Sequence, residues 1–174
     1  MVIERLSAEQ AHACLPDLIR LLQDAVDGGA SVGYLPPLSD DQARQYWSAI
    51  LPDIERGSRI LLVASDDGTV TGTVQLELIQ KPNGLHRAEV QKLMVHSDYR
   101  GRGIAGELLN AVEAAAREAN RTLLVLDTIQ GDTADRLYRR LGWIEAGVIP
   151  QFAMSGTGIL EATVVFYKIL NTDR

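Results

Sequence analysis

The stretch HSDYRGRGIAGELL, His96 to Leu109, sets Gly101, Gly103 and Gly106 beside Arg100 and Arg102, directly ahead of residues that favour a helix. The first turn of a helix carries N–H groups with no intrahelical acceptor, and they form the positive end of the helix dipole. Glycines let the backbone turn tightly and come close to a ligand, because no Cβ intervenes. Arg100 and Arg102 would add charge-assisted contacts. Between a strand and a helix, RGRGIAG therefore reads as a pyrophosphate cradle made of Arg100, Gly101, Arg102, Gly103, Ile104, Ala105 and Gly106. A nucleoside-triphosphate loop would need a Gly-Lys-Ser/Thr ending, which this segment lacks. A dinucleotide site matches the G-x-G-x-x-G spacing of Gly101, Gly103 and Gly106, with Asp127 21 residues further on. Against it, the loop follows a meander instead of opening a repeated βαβ chain. A glycine-rich turn without a ligand is the third reading, although three glycines at a helix start cost stability with no packing gain.

Two carboxylates stand out near this loop. Period-2 geometry in the preceding strand puts Glu89, Gln91, Leu93 and Val95 on one face. A carboxylate on a partly apolar face can act as a base with a raised pKa; its plainer use is a salt bridge to Arg87 or Lys92. Asp127 ends the apolar run LLVLD, and ligands of open sheets gather at the carboxyl ends of strands. It could hold an ammonium or share the work of a base, or simply cap the next turn. Tyr138, in ADRLYRRLGW, shares a helix face with Ala134, Leu137 and Leu141, so a core ring with a wet hydroxyl is one reading. His12, His86 and His96 are scattered and show no metal-ligand spacing, so no metal is expected. Cys14, the single cysteine, reads as a small buried residue and not as a nucleophile.

These groups need a frame. Residues 2–6 read as a short strand. Ser7 with Gln10 forms a capping signature, and Ala11, Leu15, Leu18, Ile19, Leu22 and Val26 recur at helical spacing up to Gly28-Gly29. GGASVGYLPPL is irregular. Ser39 with Gln42 starts a second helix, which Pro52 should kink or break in its last turn before Gly57. Residues 59–95 then read as an antiparallel meander. RILLVASD is followed by the hairpin signal Asp67-Gly68. TVTGTVQLELI alternates Val and Leu with Thr, Gln and Glu, as a strand with one buried face does. KPNG suits a type I turn, and AEVQKLMV is the next strand. A helix follows from about Gly103 to Asn120, then TLLVLDT, wholly apolar before its acid, as expected of a strand buried on both faces. A short helix from about Asp132 to Leu141 and strands over 143–148 and 162–170 complete an α/β domain with a mixed sheet.

The 174 residues, 46% of them hydrophobic, suit one domain spanning 1–174. A net charge of −6 argues against a nucleic-acid partner. The acid excess is uneven. Asp24, Asp27, Asp40, Asp41, Asp53 and Glu55 crowd residues 24–57, whereas Arg87, Lys92, Arg100 and Arg102 mark 87–106 as locally basic. The basic segment suits an anionic ligand; the acidic one suits either a cationic amine or plain solvation. The loops 28–38 and 150–162 are expected to flank the acceptor. MVIERLSAEQ resembles no secretory signal, no apolar run is long enough to span a bilayer, and one cysteine allows no internal disulfide. The expectation is a soluble cytoplasmic domain without a membrane partner. The oligomeric state stays open, a homodimer included.

LMVHSDYRGRGIAGELL resembles the cofactor motif Gln/Arg-x-x-Gly-x-Gly/Ala of the GCN5-related N-acetyltransferase (GNAT) family, met here by Arg100, Gly103 and Ala105. The resemblance covers essentially the whole chain. It implies the GNAT fold: a mixed, mostly antiparallel sheet of about seven strands flanked by about four helices. It implies acetyl-CoA as donor, with its pyrophosphate on residues 101–106 and its pantetheine arm laid like an added strand along Leu93, Met94 and Val95. It places a catalytic base at Glu89, eleven residues before Arg100, and a general acid at Tyr138 beside the coenzyme sulfur. Asp127 would assist Glu89. One departure is Gly131, where many relatives have an asparagine that touches the cofactor; another is Trp143 in place of the commoner Phe. GGASVG, KPNGL, RAEVQKLMV, RGRG and LDT further resemble the branch of the family that acetylates a β-lactam amino-acid toxin, so the implied acceptor is a small-molecule amine. A protein or peptide acceptor and a non-catalytic coenzyme A-binding module are the rival readings.

Overall fold

The computed structural model describes residues 1–170; the last four residues of the expected 1–174 domain lie outside the described residues. Its sheet has seven strands: β1 (Val2–Leu6), β2 (Arg59–Asp66), β3 (Thr69–Leu78), β4 (Arg87–Val95), β5 (Leu123–Ile129), β6 (Ile144–Met154) and β7 (Leu160–Ile169). The spatial order is β1-β2-β3-β4-β5-β7-β6, and only β4 and β5 pair in parallel. The hairpin expected at Asp67-Gly68 joins β2 to β3, with both residues at positive φ.

Five α-helices flank the sheet, where about four were expected: α1 (Ala8–Ala13), α2 (Leu15–Asp27), α3 (Asp40–Glu55), α4 (Ile104–Glu118) and α5 (Thr133–Arg140). The extra one comes from Pro16. It has no N–H to continue the first helix, so the chain breaks at Cys14 (φ −88°, ψ 5°) and restarts with the proline in the first turn of α2. Pro52, in contrast, is accommodated, and α3 runs on to Glu55. Ser7 and Ser39 form the reciprocal capping boxes that their Gln10 and Gln42 partners imply.

Two apolar clusters sandwich the first half of the sheet. Leu18, Leu22, Trp47, Leu61, Val63 and Met94 belong to the α1–α3 face. Leu62, Leu76, Val90, Leu108, Leu124 and Phe166 belong to the α4–α5 face. Because helices cover both faces here, β3 is buried on both, not one. Its Thr71, Thr73 and Gln75 are fully buried. Thr71 Oγ1 and Thr73 Oγ1 donate to the carbonyls of Ala64 (3.1 Å) and Leu62 (3.0 Å), so their hydroxyls do not need water. β5 departs the other way: Leu124 and Leu126 are buried, but Asp127 is exposed and Leu123, Val125 and Ile129 are only half-buried. The two last strands are longer than expected, and the segment 150–162 is the tip of their hairpin.

Gly72 fixes the seat of α4 on this sheet. A Cβ there would meet the Met94 carbonyl at 3.0 Å and the side chains of Ile104 and Leu108 at 3.2 Å. Only a residue without a side chain lets the first turns of α4 lie so close to β3.

Candidate active site

The site starts with a strand defect. Opposite β3, Gln75 pairs with Gln91 but Thr73 pairs with Met94, so Lys92 and Leu93 together face the single residue Val74. Lys92 takes a positive φ of 52° to make this bulge. Parallel pairing with β5 covers only Arg87–Glu89 against Leu123–Val125. Beyond it the strands part, and the β5-facing edge of β4 has no strand partner among the described residues. Leu93, Met94 and Val95 lie on that edge.

The bulge also overturns one expectation. Glu89, Gln91, Leu93 and Val95 do not share a face, because the extra residue reverses the alternation. Leu93 and Val95 pack with the α4–α5 cluster, together with Ala88 and Val90, whereas Met94 joins the opposite cluster. Glu89 and Gln91 therefore lie on the α1–α3 face. Glu89 is level with Val125, and Asp127 follows two residues along β5, so both carboxylates look out on the same side of the fork.

Glu89 makes no ion pair with Arg87 or Lys92 among the described residues; its Oε1 accepts from Gln91 Nε2 at 3.0 Å. Gln91 Nε2 also donates to Glu77 (3.0 Å), and the Arg59 guanidinium donates to Glu77 (2.9 Å), Gln75 (2.8 Å) and Gln91 (3.0 Å). Tyr46 closes the network on Gln75, and burial pushes its pKa up to about 12. Asp127 is not a helix cap: Asp132 caps α5, its Oδ1 accepting from the Asp135 amide at 2.7 Å. Thr163 Oγ1 holds Asp127 instead, at 2.9 Å. Tyr138 is buried, its ring against Trp143 (5.8 Å between centroids) and Phe166 (5.9 Å). Burial first, then the charges of Asp132 and Asp127, raise its pKa above the ordinary tyrosine value. Its hydroxyl has no hydrogen-bond partner among the described residues.

The glycine loop has the form expected of it. Gly101 and Gly103 take φ of 77° and 82°, and Gly103 is the N-cap of α4. Among the described residues, no N–H from Gly101 to Gly106 has an acceptor; the first helical bond runs from Glu107 N–H to the Gly103 carbonyl at 3.2 Å. The arginines are already engaged. Arg100 Nε donates to the Val95 carbonyl (3.0 Å) and Nη2 to Asp24 (3.4 Å); Arg102 donates to the Asp98 carbonyl (2.9 Å) over the Tyr99 ring. Asp24 further accepts from the Ser97 N–H (2.9 Å) and hydroxyl (2.6 Å). At Asp24, then, the acidic stretch is not plain solvation: this carboxylate ties α2 to the loop. Gly131 donates its N–H to Asp135 at 2.7 Å.

A cavity of about 260 Å³ opens beside the fork. Gly33 and Tyr34 of the 28–38 loop line one side, Met154, Ser155 and Glu161 of the β6–β7 hairpin another, and Ile129 at the end of β5 the floor. The two segments expected to flank an acceptor do meet there. Four features had no sequence signal: the Lys92 bulge, the Thr163 anchor, the Arg59 network and the Asp24 tie. Each depends on a partner 14 or more residues away. Among the described residues no cluster of three His, Cys, Asp or Glu side chains could hold a metal, and no helix is long and apolar enough to cross a membrane.

The comparisons agree with this architecture. Residues 20–143 match the model of the acetyltransferase (GNAT) family. The chain is 30% identical over 163 residues to the L-methionine sulfoximine/L-methionine sulfone acetyltransferase of Pseudomonas aeruginosa, covering 92% of this chain and 91% of the relative. Its fold is similar to the ribosomal-protein-alanine N-acetyltransferase of Brucella melitensis (TM-score 0.80, 24% identity, 98% of this chain and 100% of that one). It is also similar to the protein yncA of Salmonella typhimurium, solved with its cofactor acetyl-CoA (TM-score 0.78, 19% identity, 100% and 96%). A family model over most of the chain, and a relative matched nearly end to end, establish that this protein belongs to the GNAT family of acetyltransferases.

Proposed function

We propose that residues 1–174 form one domain that transfers the acetyl group of acetyl-CoA to the amine of a small amino-acid-like molecule. The observation that carries this reading is the row of unpaired backbone N–H groups at Gly101–Gly106, next to a fork whose edge offers Leu93, Met94 and Val95 to an extended arm. Such a row fits a pyrophosphate, which can satisfy several N–H donors together. Arg100 braces the loop through Val95 and Asp24, and Arg102 is held beside it by the Asp98 carbonyl and the Tyr99 ring.

Bound acetyl-CoA supplies the acetyl group as a thioester. Asp127, held by Thr163, binds the acceptor ammonium. Glu89 takes a proton from that nitrogen; its Oε1 is fixed by Gln91 while Oε2 has no partner among the described residues. Tyr138, whose proton is kept on by burial, gives that proton to the departing sulfur. The acceptor occupies the cavity between the 28–38 loop and the β6–β7 hairpin. The P. aeruginosa relative is named for methionine sulfoximine and sulfone, and the strings that resemble tabtoxin-resistance acetyltransferases suggest a β-lactam amino acid. Both are amino acids with a polar, tetrahedral or strained side-chain group, and that common chemistry is the class we assign.

A thiol-release assay with acetyl-CoA tests this against methionine sulfone, methionine sulfoximine, a tabtoxin-type β-lactam amino acid, an aminoglycoside, a polyamine and a short peptide. Turnover concentrated on the amino acids is expected. Turnover concentrated on the peptide would move the acceptor to proteins, and silence on every amine despite acetyl-CoA binding would make the chain a coenzyme-binding module.

A further inference from the structure

Lys92 is the residue that makes the bulge, and a lysine is a costly choice for it. A non-glycine residue at φ 52° is uncommon, and strained backbone of this kind clusters at working sites. Its side chain is half-buried. Nζ lies 5.3 Å from the centre of the Tyr46 ring on α3, and 3.9 Å from where a Cβ on Gly33 would stand. Gly33 and Tyr34 are walls of the cavity, so the ammonium sits at its margin. An ammonium has three donors, yet among the described residues Lys92 makes no hydrogen bond and no ion pair within 4.0 Å. Burial, and then the Arg59 guanidinium on β2, lower its pKa; Asp127 on β5 and Glu89 on β4 pull the other way. A half-buried cation with empty donors, near the carboxylates of Asp127 and Glu89 proposed to receive an amine, has the complement of an amino acid: a positive site next to negative ones.

We propose that Lys92 holds the α-carboxylate of the acceptor, so that the site selects amino acids over simple amines. The inference rests on the reading of this cleft as the acceptor site. The amino acid spans the fork with its ammonium on Asp127 and Glu89 and its carboxylate on Lys92 Nζ, while the ring of Tyr46 and the bare backbone of Gly33 leave the carboxylate room to approach.

The experiment measures binding of methionine sulfone, and of the amine that lacks its carboxylate, to the protein–coenzyme A complex by calorimetry. Wild type, Lys92→Arg and Lys92→Met are compared. Loss of a charge-assisted hydrogen bond should weaken methionine sulfone binding to Lys92→Met by about 10–100-fold. The decarboxylated amine should bind wild type and Lys92→Met equally, and Lys92→Arg should recover part of the loss. Lys92→Met should melt no lower than wild type, because it removes a charge whose burial Glu89, Asp127 and the Tyr46 ring offset only in part. Equal binding of methionine sulfone to wild type and Lys92→Met, an equal loss for both ligands, or no binding of methionine sulfone by wild type would overturn the proposal. Failure of the acetyl-transfer reading shows differently: carboxylate-dependent binding would persist while no thiol is released.

Discussion

Strands β3 and β5 read in opposite ways and fold in opposite ways. β3 alternates Thr and Gln with Val and Leu, the pattern of a half-wet strand, yet it is buried on both faces. β5 is an unbroken apolar run up to its acid, the pattern of a fully covered strand, yet one of its faces is open. The reason lies in what covers them. α1, α2 and α3 close the second face over β1–β4, and Thr71, Thr73 and Gln75 survive there by bonding to the neighbouring strand and to the Arg59–Tyr46 network. Past the fork α1–α3 no longer cover this face, so Val125 and Ile129 stay half-buried and Asp127 exposed, and Ile129 reaches the cavity. The apolar residues of β5 are suited to a ligand, and the polar residues of β3 are suited to each other.

This division predicts which variants hurt turnover and which hurt stability. The largest effect belongs to the open half. Glu89→Gln should lower kcat by about 10²–10⁴-fold, the usual contribution of a positioned base, with an unchanged melting temperature. Steady-state kinetics and a thermal melt on the same sample check both. Next comes the seam between the halves. Gly72→Leu must push α4 off the sheet and should cost about 1–3 kcal/mol in chemical denaturation, typical of overpacking. Thr73→Val on the closed side keeps shape but loses the bond to Leu62, for about 0.5–1.5 kcal/mol. Val125→Thr, on the open face of β5, should stay within about 0.5 kcal/mol of wild type. A Val125 variant as costly as the Thr73 one would contradict this division between an open and a closed half.

Tyr138 adds a pH test. Its folded pKa lies above the unfolded value of 10.0, so the folded state holds the phenolic proton more tightly. The stability linked to this group is therefore complete below pH 10 and is lost as pH rises beyond it. As the proposed proton donor, Tyr138 should stay protonated through the ordinary assay range. A rate profile whose alkaline limb below pH 10 disappears in Tyr138→Phe would contradict this assignment.

Much of the scaffold was legible in the sequence because its signals are local. Ser7 with Gln10, Ser39 with Gln42, and Asp67-Gly68 each declare a cap or turn within four residues, and each forms. The glycine loop was legible for the same reason: positive φ at Gly101 and Gly103 and the missing acceptors in the first turn of α4 are local needs. The bulge was not. Strict alternation along RAEVQKLMV put Glu89 and Leu93 on one face, and nothing within the strand marks Lys92 as the residue that breaks step. Helix cover was equally hidden, since the burial of β3 is decided by α2 and α3, which lie outside its sequence. The split of the first helix is different: Pro16 stands in plain view in the sequence, but the helical spacing of Ala11, Leu15 and Leu18 runs straight through it.

The most direct test of the account is the turnover of methionine sulfone by Tyr138→Phe, measured as kcat beside the dissociation constant for acetyl-CoA. The open cleft as a site of acetyl transfer predicts a fall in kcat of about 10²-fold or more with the dissociation constant unchanged. An unchanged kcat, or equal losses in kcat and in acetyl-CoA affinity, would contradict it and leave Tyr138 as a core ring.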